Sequence, residues 1–240
     1  MISLNKISKN YPNKKILNDF DMSFADGCFT CILGPSGCGK STLLKLIAGL
    51  ERPDSGQINN TQNLRTSFVF QDAALIPWLN VKENILIALS ADKSLTKEDK
   101  SSKLQEVLSL VKLTGNEHTF PHQLSGGMKM RVSIARALIN NPQVLLMDEP
   151  FSALDELVRF ELQEELWHLW KQKKMNIFFV THAISEAVFL AEQILLFKNE
   201  KIINLNNPLN HDRESSLRSH VSYQQQIQIV TQKVRGEINA

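Results

Sequence analysis

The stretch CILGPSGCGKSTLLKL constrains the fold of this chain more than any other. Residues 34 to 41 fit G-x-x-x-x-G-K-[ST], with an apolar run before them and a helical pattern after them. Glycines in such a loop let successive N–H groups curl around a phosphate. Lys40 would neutralise phosphate charge and the Ser41 hydroxyl would ligate Mg²⁺. The frame predicts an α/β fold with a P-loop, and therefore a nucleotide site formed by Gly34, Pro35, Ser36, Gly37, Cys38, Gly39, Lys40, Ser41 and Thr42.

Short apolar strand patterns alternate with longer helical patterns along the chain. We predict strands at 29–33, 66–70, 144–147, 177–181, 193–197 and 201–205. The middle runs are apolar almost throughout, which is typical of parallel strands covered on both faces. The last two flank KNE and predict an antiparallel hairpin. Residues 2–30, with turn signals at YP and DG, predict an antiparallel β portion.

Between about 78 and 140 the strand signal disappears and three helices are predicted, at 80–88, 97–113 and 127–140. The second has Leu104, Val107, Leu108 and Val111 at helical spacing, and Gly115 is a plausible stop. A further helical patch lies near 223–234. We therefore divide a single domain into an α/β core with its N-terminal β portion (1–77 and 141–205), a helical subdomain (78–140) and a C-terminal tail (206–240).

Composition narrows the function classes. The 240 residues have 42% hydrophobic and 22% charged side chains, which is ordinary for a globular protein, and the formal net charge is only +2. We therefore expect no nucleic-acid partner. No apolar run reaches the roughly 18 residues needed to cross a bilayer, and the first residues lack the apolar block of a secretion signal. We expect a cytoplasmic protein, with attachment to a membrane through a partner left open.

The cysteines and one histidine pair are most simply interpreted as structural residues. Cys28 and Cys31 form a C-x-x-C, but an odd separation on a strand places the thiols on opposite faces, so we expect a structural role. Pro121 argues against a helical metal site at His118 and His122. Cys38 is most simply a small residue of the loop; the alternative is a reactive thiol activated by Lys40 and the helix start.

Three other strand ends carry polar side chains. Four apolar residues lead into Asp148 and Glu149. An acid at a central strand end beside a P-loop can anchor Mg²⁺, so we assign Asp148 to the metal and Glu149 to the general base. His182 ends another buried strand and would hydrogen-bond the γ-phosphate. Gln71 ends the strand pattern SFVFQ and could orient water and touch Mg²⁺ when ATP is bound.

A second glycine-rich helix start, LSGGM at residues 124 to 128, suggests a second anion contact. Either two anions bind, or one anion is gripped from two sides.

The motif series YP, GPSGCGKST, Q, LSGGM, LLMDEP, SALD and TH resembles the nucleotide-binding subunits of ATP-binding cassette (ABC) transporters, over residues 1 to 205. The resemblance implies that ATP and Mg²⁺ bind and that two copies pack head to tail. Ser125, Gly126 and Gly127 of one copy would close over the γ-phosphate held by the other. It also implies that Tyr11 stacks on adenine, that Gln71 is the Q-loop glutamine, that SALD (residues 152–155, ending in Asp155) is the D-loop and that His182 is the switch histidine. Lys40, Gln71, Glu149 and His182 would be catalytic, and Ser41, Gln71 and Asp148 would hold the metal.

The motif details resemble importer ATPases of the nitrate, sulfonate and taurine type, with relatives for thiamine precursors. Such a protein would be a homodimeric motor on the cytoplasmic face of the inner membrane, bound to permease subunits and served indirectly by a solute-binding protein. Residues 74–79 lie where the family docks a permease helix, and Trp78 there could be core or interface. Met128 replaces a frequent glutamine, so a ribose contact from this position is not expected. An efflux ATPase or a non-transport ABC ATPase is the alternative.

Overall fold

The computed structural model describes residues 1–12, 14–59, 64–198, 201–207, 209 and 213–236. Its central sheet has six strands in the order β5-β6-β7-β3-β8-β9. The strands are β3 (Phe29–Leu33), β5 (Thr66–Val69), β6 (Val144–Asp148), β7 (Asn176–Thr181), β8 (Gln193–Lys198) and β9 (Lys201–Asn206). The first five run parallel and β9 pairs antiparallel with β8, as predicted. Residues 199 and 200 of the predicted turn lie outside the described residues.

A second, antiparallel sheet has the order β2-β1-β4. It contains β1 (Ile2–Tyr11), β2 (Lys14–Phe24) and β4 (Ser55–Asn59). The predicted N-terminal β portion is confirmed, but its boundary at residue 30 was wrong, because Phe29 and Thr30 already belong to parallel strand β3. The sequence also gave no sign of β4. That segment, SGQIN, is mostly exposed and pairs only with β1, so it carries no apolar pattern.

The predicted helices are present with shorter or shifted ends. α2 (Val81–Leu86) continues as a 3₁₀ turn over Ile87–Leu89, and α3 (Lys97–Leu110), α4 (Gly126–Leu138) and α7 (Val221–Arg235) occupy the other three predicted stretches. α3 ends before Gly115, since Lys112 adopts the left-handed conformation at φ 55°. The remaining helices are α1 (Lys40–Ile47), α5 (Glu156–Lys173) and α6 (Ile184–Leu190). Across the described ranges, no helix is long and apolar enough to span a membrane.

The apolar core lies on both faces of the central sheet. On β3, Phe29, Cys31 and Leu33 pack against one cluster, whereas Ile32 packs with α1 in the other. The strictly buried β3 and β7 explain why the central strands read as continuous apolar runs. All three cysteines are unpaired, and burial raises the pKa of the Cys31 thiol well above its usual value.

Candidate functional site

The carboxyl ends of β3, β6 and β7 meet at one edge of the central sheet. Their parallel registers pair Leu33 with Thr181 and Asp148 with Val180. The loop after β3, the acidic pair that ends β6 and the histidine that follows β7 are therefore neighbours. Ligands of open α/β sheets bind at this kind of edge.

Backbone geometry explains the glycines of the P-loop. Gly37 and Gly39 have φ of 74° and 111°, which residues with a side chain rarely adopt. A Cβ at Gly39 would lie 2.2 Å from Ile16 Cγ2, and one at Gly34 would lie 2.9 Å from Phe197 Cβ. Gly37 needs glycine for conformation, Gly34 for space and Gly39 for both, and α1 begins directly after Gly39 at Lys40.

Lys40 places a buried cation under this loop. Its side chain is 4% exposed, and Nζ donates hydrogen bonds to the carbonyls of Gly34 and Pro35 at 2.9 Å each. Nζ also lies 3.7 Å from Glu149 Oε1. The ammonium group is therefore held between the loop and the end of β6, where a phosphate could receive its charge.

Asp148 and Ser41 present oxygen atoms side by side. The Ser41 hydroxyl lies close enough to the Asp148 carboxylate to lower its pKa. Burial raises the pKa of the Asp148 carboxyl, as does the nearby Glu149 charge, while the Ser41 hydrogen bond and the charges of Lys40 and Lys45 lower it. A half-buried carboxylate beside a hydroxyl fits Mg²⁺, which prefers oxygen ligands and takes few of them from the protein.

Glu149 connects three parts of the site. Its backbone is left-handed at φ 47°, and its N–H donates to the carbonyl of Val180 at 3.1 Å. Oε2 lies 3.2 Å from Nδ1 of the exposed His182. The Glu149 carbonyl accepts the Ser152 hydroxyl at 2.9 Å, which ties the D-loop to the end of β6. The Glu149 carboxylate thus lies between the Lys40 ammonium group and the His182 imidazole, and the three side chains form a row.

Two predicted site residues lie at the periphery of this group. β5 ends at Val69, so Gln71 is not the last residue of the strand as predicted but lies two residues beyond it, with an exposed side chain. Tyr11 ends β1 and is 41% exposed, with its hydroxyl donating to Glu51 Oε2 at 2.7 Å. The Lys9 ammonium lies over the Tyr11 ring, 5.7 Å from its centroid.

Ser125 and its glycines form the start of α4. The Ser125 hydroxyl caps the helix by accepting from the Met128 N–H at 3.2 Å. A Cβ at Gly126 would lie 3.4 Å from Leu154 Cδ2, and one at Gly127 would lie 2.5 Å from Val158 Cγ1. Within one chain this helix start therefore lies against the D-loop and the beginning of α5.

The D-loop residue Asp155 caps α5 in the same way as Ser125 caps α4. Its Oδ1 accepts from the Val158 N–H at 3.1 Å. Two helix starts with exposed caps therefore lie side by side.

A family model described as "ABC transporter" matches residues 17–152 of this chain. The chain belongs to the ABC transporter family. It is an ATP-binding, ATP-hydrolysing ABC ATPase.

Relatives and solved structures agree with the family. The ABC ATPase is 40% identical to the aliphatic sulfonates import ATP-binding protein SsuB of Bacillus thuringiensis subsp. konkukian (strain 97-27) and to that of Bacillus anthracis, with 89% of this chain and 90% of each relative covered. Among solved structures, MJ0796 as a post-hydrolysis dimer with ADP and Pi is 30% identical, with a TM-score of 0.75, covering 87% of this chain and 100% of that one. CbiO1 from Clostridium perfringens, part of the cbiONQ complex, has a TM-score of 0.80 at 23% identity over 99% and 98% of the two chains, which shows the fold.

Sequence reasoning missed one part of the ABC ATPase site. Arg159 on α5 and Glu186 on α6 meet behind His182 and Ser152, and together these residues line a small pocket. The available signal was a charged residue, Glu186, inside the mostly apolar helical run ISEAVFL. A charged residue on a buried helix face requires a partner.

Proposed function

We propose that this ABC ATPase is the ATP-hydrolysing motor subunit of an importer and works as a homodimer at the cytoplasmic face of the inner membrane. The observation that carries the proposal is the row of Lys40, Glu149 and His182 at the carboxyl edge of the sheet. Hydrolysis of the γ-phosphate needs a cation for the phosphate charge, a base for the attacking water and a polar side chain at the phosphate. Lys40, Glu149 and His182 supply these three groups.

Glu149 is the general base of the proposed reaction. Lys40 at 3.7 Å and His182 at 3.2 Å hold its two carboxylate oxygens in place, so that it can accept a proton from water in line with the γ-phosphorus. His182 contacts the γ-phosphate, and Lys40 neutralises charge on the β- and γ-phosphates. Gln71 orients the attacking water from the end of the β5 loop.

Ser41 and Asp148, with Gln71, would hold Mg²⁺. The ion would neutralise the phosphate oxygens of ATP. The Ser41 hydroxyl lies near the Asp148 carboxylate and lowers its pKa, which supports this pair as ligands.

The second half of the proposed site comes from another copy of the chain. Ser125, Gly126 and Gly127 would present a hydroxyl, N–H groups and the α4 dipole to the γ-phosphate bound by the partner copy. Asp155 would contact the nucleotide from the D-loop, and Tyr11 would stack on adenine in its own copy. The dimeric structures of MJ0796, 29% and 30% identical to this chain, support the two-copy arrangement.

An apolar segment at residues 74–79 supports docking of a permease. Trp78 is 75% exposed and so does not belong to the core. Arg136 on α4 donates to the carbonyls of Ala73 and Ala74 at 2.7 and 2.9 Å. The fully buried Asn84 donates to the Ile76 and Leu79 carbonyls. A permease helix on this segment would therefore act directly on the helix that begins with Ser125.

Aliphatic sulfonates are the proposed cargo, since the SsuB relatives at 40% identity are named for their import. The cargo would reach the permease through a solute-binding protein outside the membrane. No residue of the ATPase needs to contact the cargo.

The test is growth of a strain deleted for this gene with an alkanesulfonate as sole sulfur source. The parent gene should restore growth and Glu149→Gln should not. Glu192→Gln is the matched control, because Glu192 lies at the opposite edge of the sheet beside the Phe29 N–H. Restored growth by Glu149→Gln would refute the motor role. Growth that depends on the parent gene only with nitrate or a thiamine precursor would refute the sulfonate assignment.

A further inference from the structure

Glu186 is a buried carboxylate directly behind the switch histidine. It lies on α6 with 6% of its surface exposed. Its Oε2 accepts from the Thr181 hydroxyl at 2.5 Å, and its Oε1 accepts from Gln163 Nε2 at 3.2 Å. Both oxygens therefore have donors, as a buried charge requires.

The Thr181 hydroxyl links Glu186 to the backbone on the other side of His182. Thr181 Oγ1 accepts from the Ala183 N–H at 3.0 Å while it donates to Glu186. The residues before and after His182 are thus clamped to one another, and the clamp is fixed to α6. The exposed imidazole itself has Glu149 as its partner at 3.2 Å, so its position depends largely on its backbone.

A second link runs from Glu186 to the D-loop. Arg159 donates through a terminal nitrogen to the carbonyl of Leu154 at 2.8 Å. Its Nε lies 3.8 Å from Glu186 Oε1, and among the described residues this buried Nε has no hydrogen-bond partner. The Arg159–Glu186 contact is therefore an ion pair with room to shorten, placed between the D-loop and the switch segment.

We propose that Glu186 is a positioning residue for His182. Through Thr181 it holds His182 at hydrogen-bond distance from Glu149, and through Arg159 it couples this position to the D-loop. The inference rests on the proposed roles of His182 and the D-loop. A D-loop displaced when two copies close would move Arg159, and the charge of Glu186 would transmit that movement to the segment that carries His182. Neither residue touches the nucleotide in this proposal.

Burial has the largest effect on the Glu186 carboxyl, and the net shift of its pKa is upward. Burial raises the pKa of its carboxyl, whereas the Thr181 hydrogen bond, the Arg159 charge and the Gln163 hydrogen bond lower it. A glutamine at this position has one acceptor oxygen instead of two. It would leave a donor unsatisfied and Arg159 without its anion.

The test measures kcat and KM for Mg-ATP in the full-length protein at concentrations that support dimers. Glu186→Gln and Thr181→Val, which keeps the side-chain shape, should lower kcat about 10- to 100-fold with KM nearly unchanged, because misplacement by 1 Å can cost about 100-fold. Thr181→Ser retains the hydroxyl and should restore most of kcat. Glu165→Gln is the matched control, since Glu165 lies on α5 and pairs with Lys112 and Arg131 rather than with residues next to His182.

A double-mutant cycle separates positioning from general damage. If Glu186 acts through His182, adding Glu186→Gln to His182→Ala should cause no further loss of kcat. A multiplicative loss in the double variant would overturn the proposal, as would parental kcat in both single variants. Parental kcat in His182→Ala would instead refute the proposed role of His182, so the two failures are distinguishable.

Discussion

Replacing Gly127 by alanine tests the close packing between the starts of α4 and α5. The added Cβ would lie 2.5 Å from Val158 Cγ1, whereas carbon atoms in ordinary contact are about 3.5–4.0 Å apart. The helix start must therefore move by about 1 Å. Overpacking of this kind costs about 1–3 kcal/mol, and the better helix propensity of alanine returns up to about 1 kcal/mol.

We expect Gly127→Ala to lower the thermal midpoint by a few degrees, at about 2–4 °C per kcal/mol for a chain of this size. ATP hydrolysis should fall much further, about 100-fold, since the N–H groups meant for the partner's γ-phosphate are displaced by about 1 Å. ATP binding to the monomer should be unchanged, because the P-loop does not contact Gly127. Steady-state ATPase assays, nucleotide titration and thermal melts measure the three quantities.

Val158 provides the internal control for this prediction. With Val158→Ala added, the nearest remaining atom would be its Cβ at 3.9 Å, so the double variant should recover most of the lost activity. Gly126→Ala is the stability control, since its Cβ would meet Leu154 Cδ2 at 3.4 Å and require little adjustment. Parental activity of Gly127→Ala, or a double variant as impaired as the single one, would refute the reasoning.

Two further predictions concern the acidic pair that ends β6. Glu149→Gln should bind Mg-ATP and hydrolyse it at least about 100-fold more slowly. It should sediment as an ATP-dependent dimer, whereas the Glu192→Gln control should not. A monomer at saturating Mg-ATP would contradict the assigned base. Asp148→Asn should raise the thermal midpoint of the metal- and nucleotide-free protein at neutral pH, because burial raises the folded-state pKa of Asp148 and its ionised form destabilises the fold. The gain in thermal midpoint should be full at pH values above the folded-state pKa and should vanish below the unfolded value of about 3.9. Solvent screening of this half-exposed carboxyl keeps the gain to a few degrees at most. Melting curves over pH that show a loss at neutral pH would contradict it.

Much of the fold could be predicted from local sequence patterns. The apolar runs of β3, β6 and β7 predicted buried parallel strands, and the P-loop motif predicted a glycine-rich turn between a strand and a helix, which are β3 and α1. The helix start predicted at residue 80 agrees with the structure, in which Asn80 caps α2 and forms a capping box with Glu83. These features depend on residues a few positions apart, so short-range physics determines them.

The pairing of distant side chains was decided only by the tertiary structure. Glu149 meets His182 because β6 and β7 are neighbours in the sheet, and Thr181 meets Glu186 because α6 folds back behind β7. Strand β4 has no apolar pattern and forms because β1 offers it a hydrogen-bonding edge. The roles assigned to individual side chains from residue types and spacing remain predictions. Their contacts arise from the order in which strands and helices pack, and that order depends on burial across the whole chain.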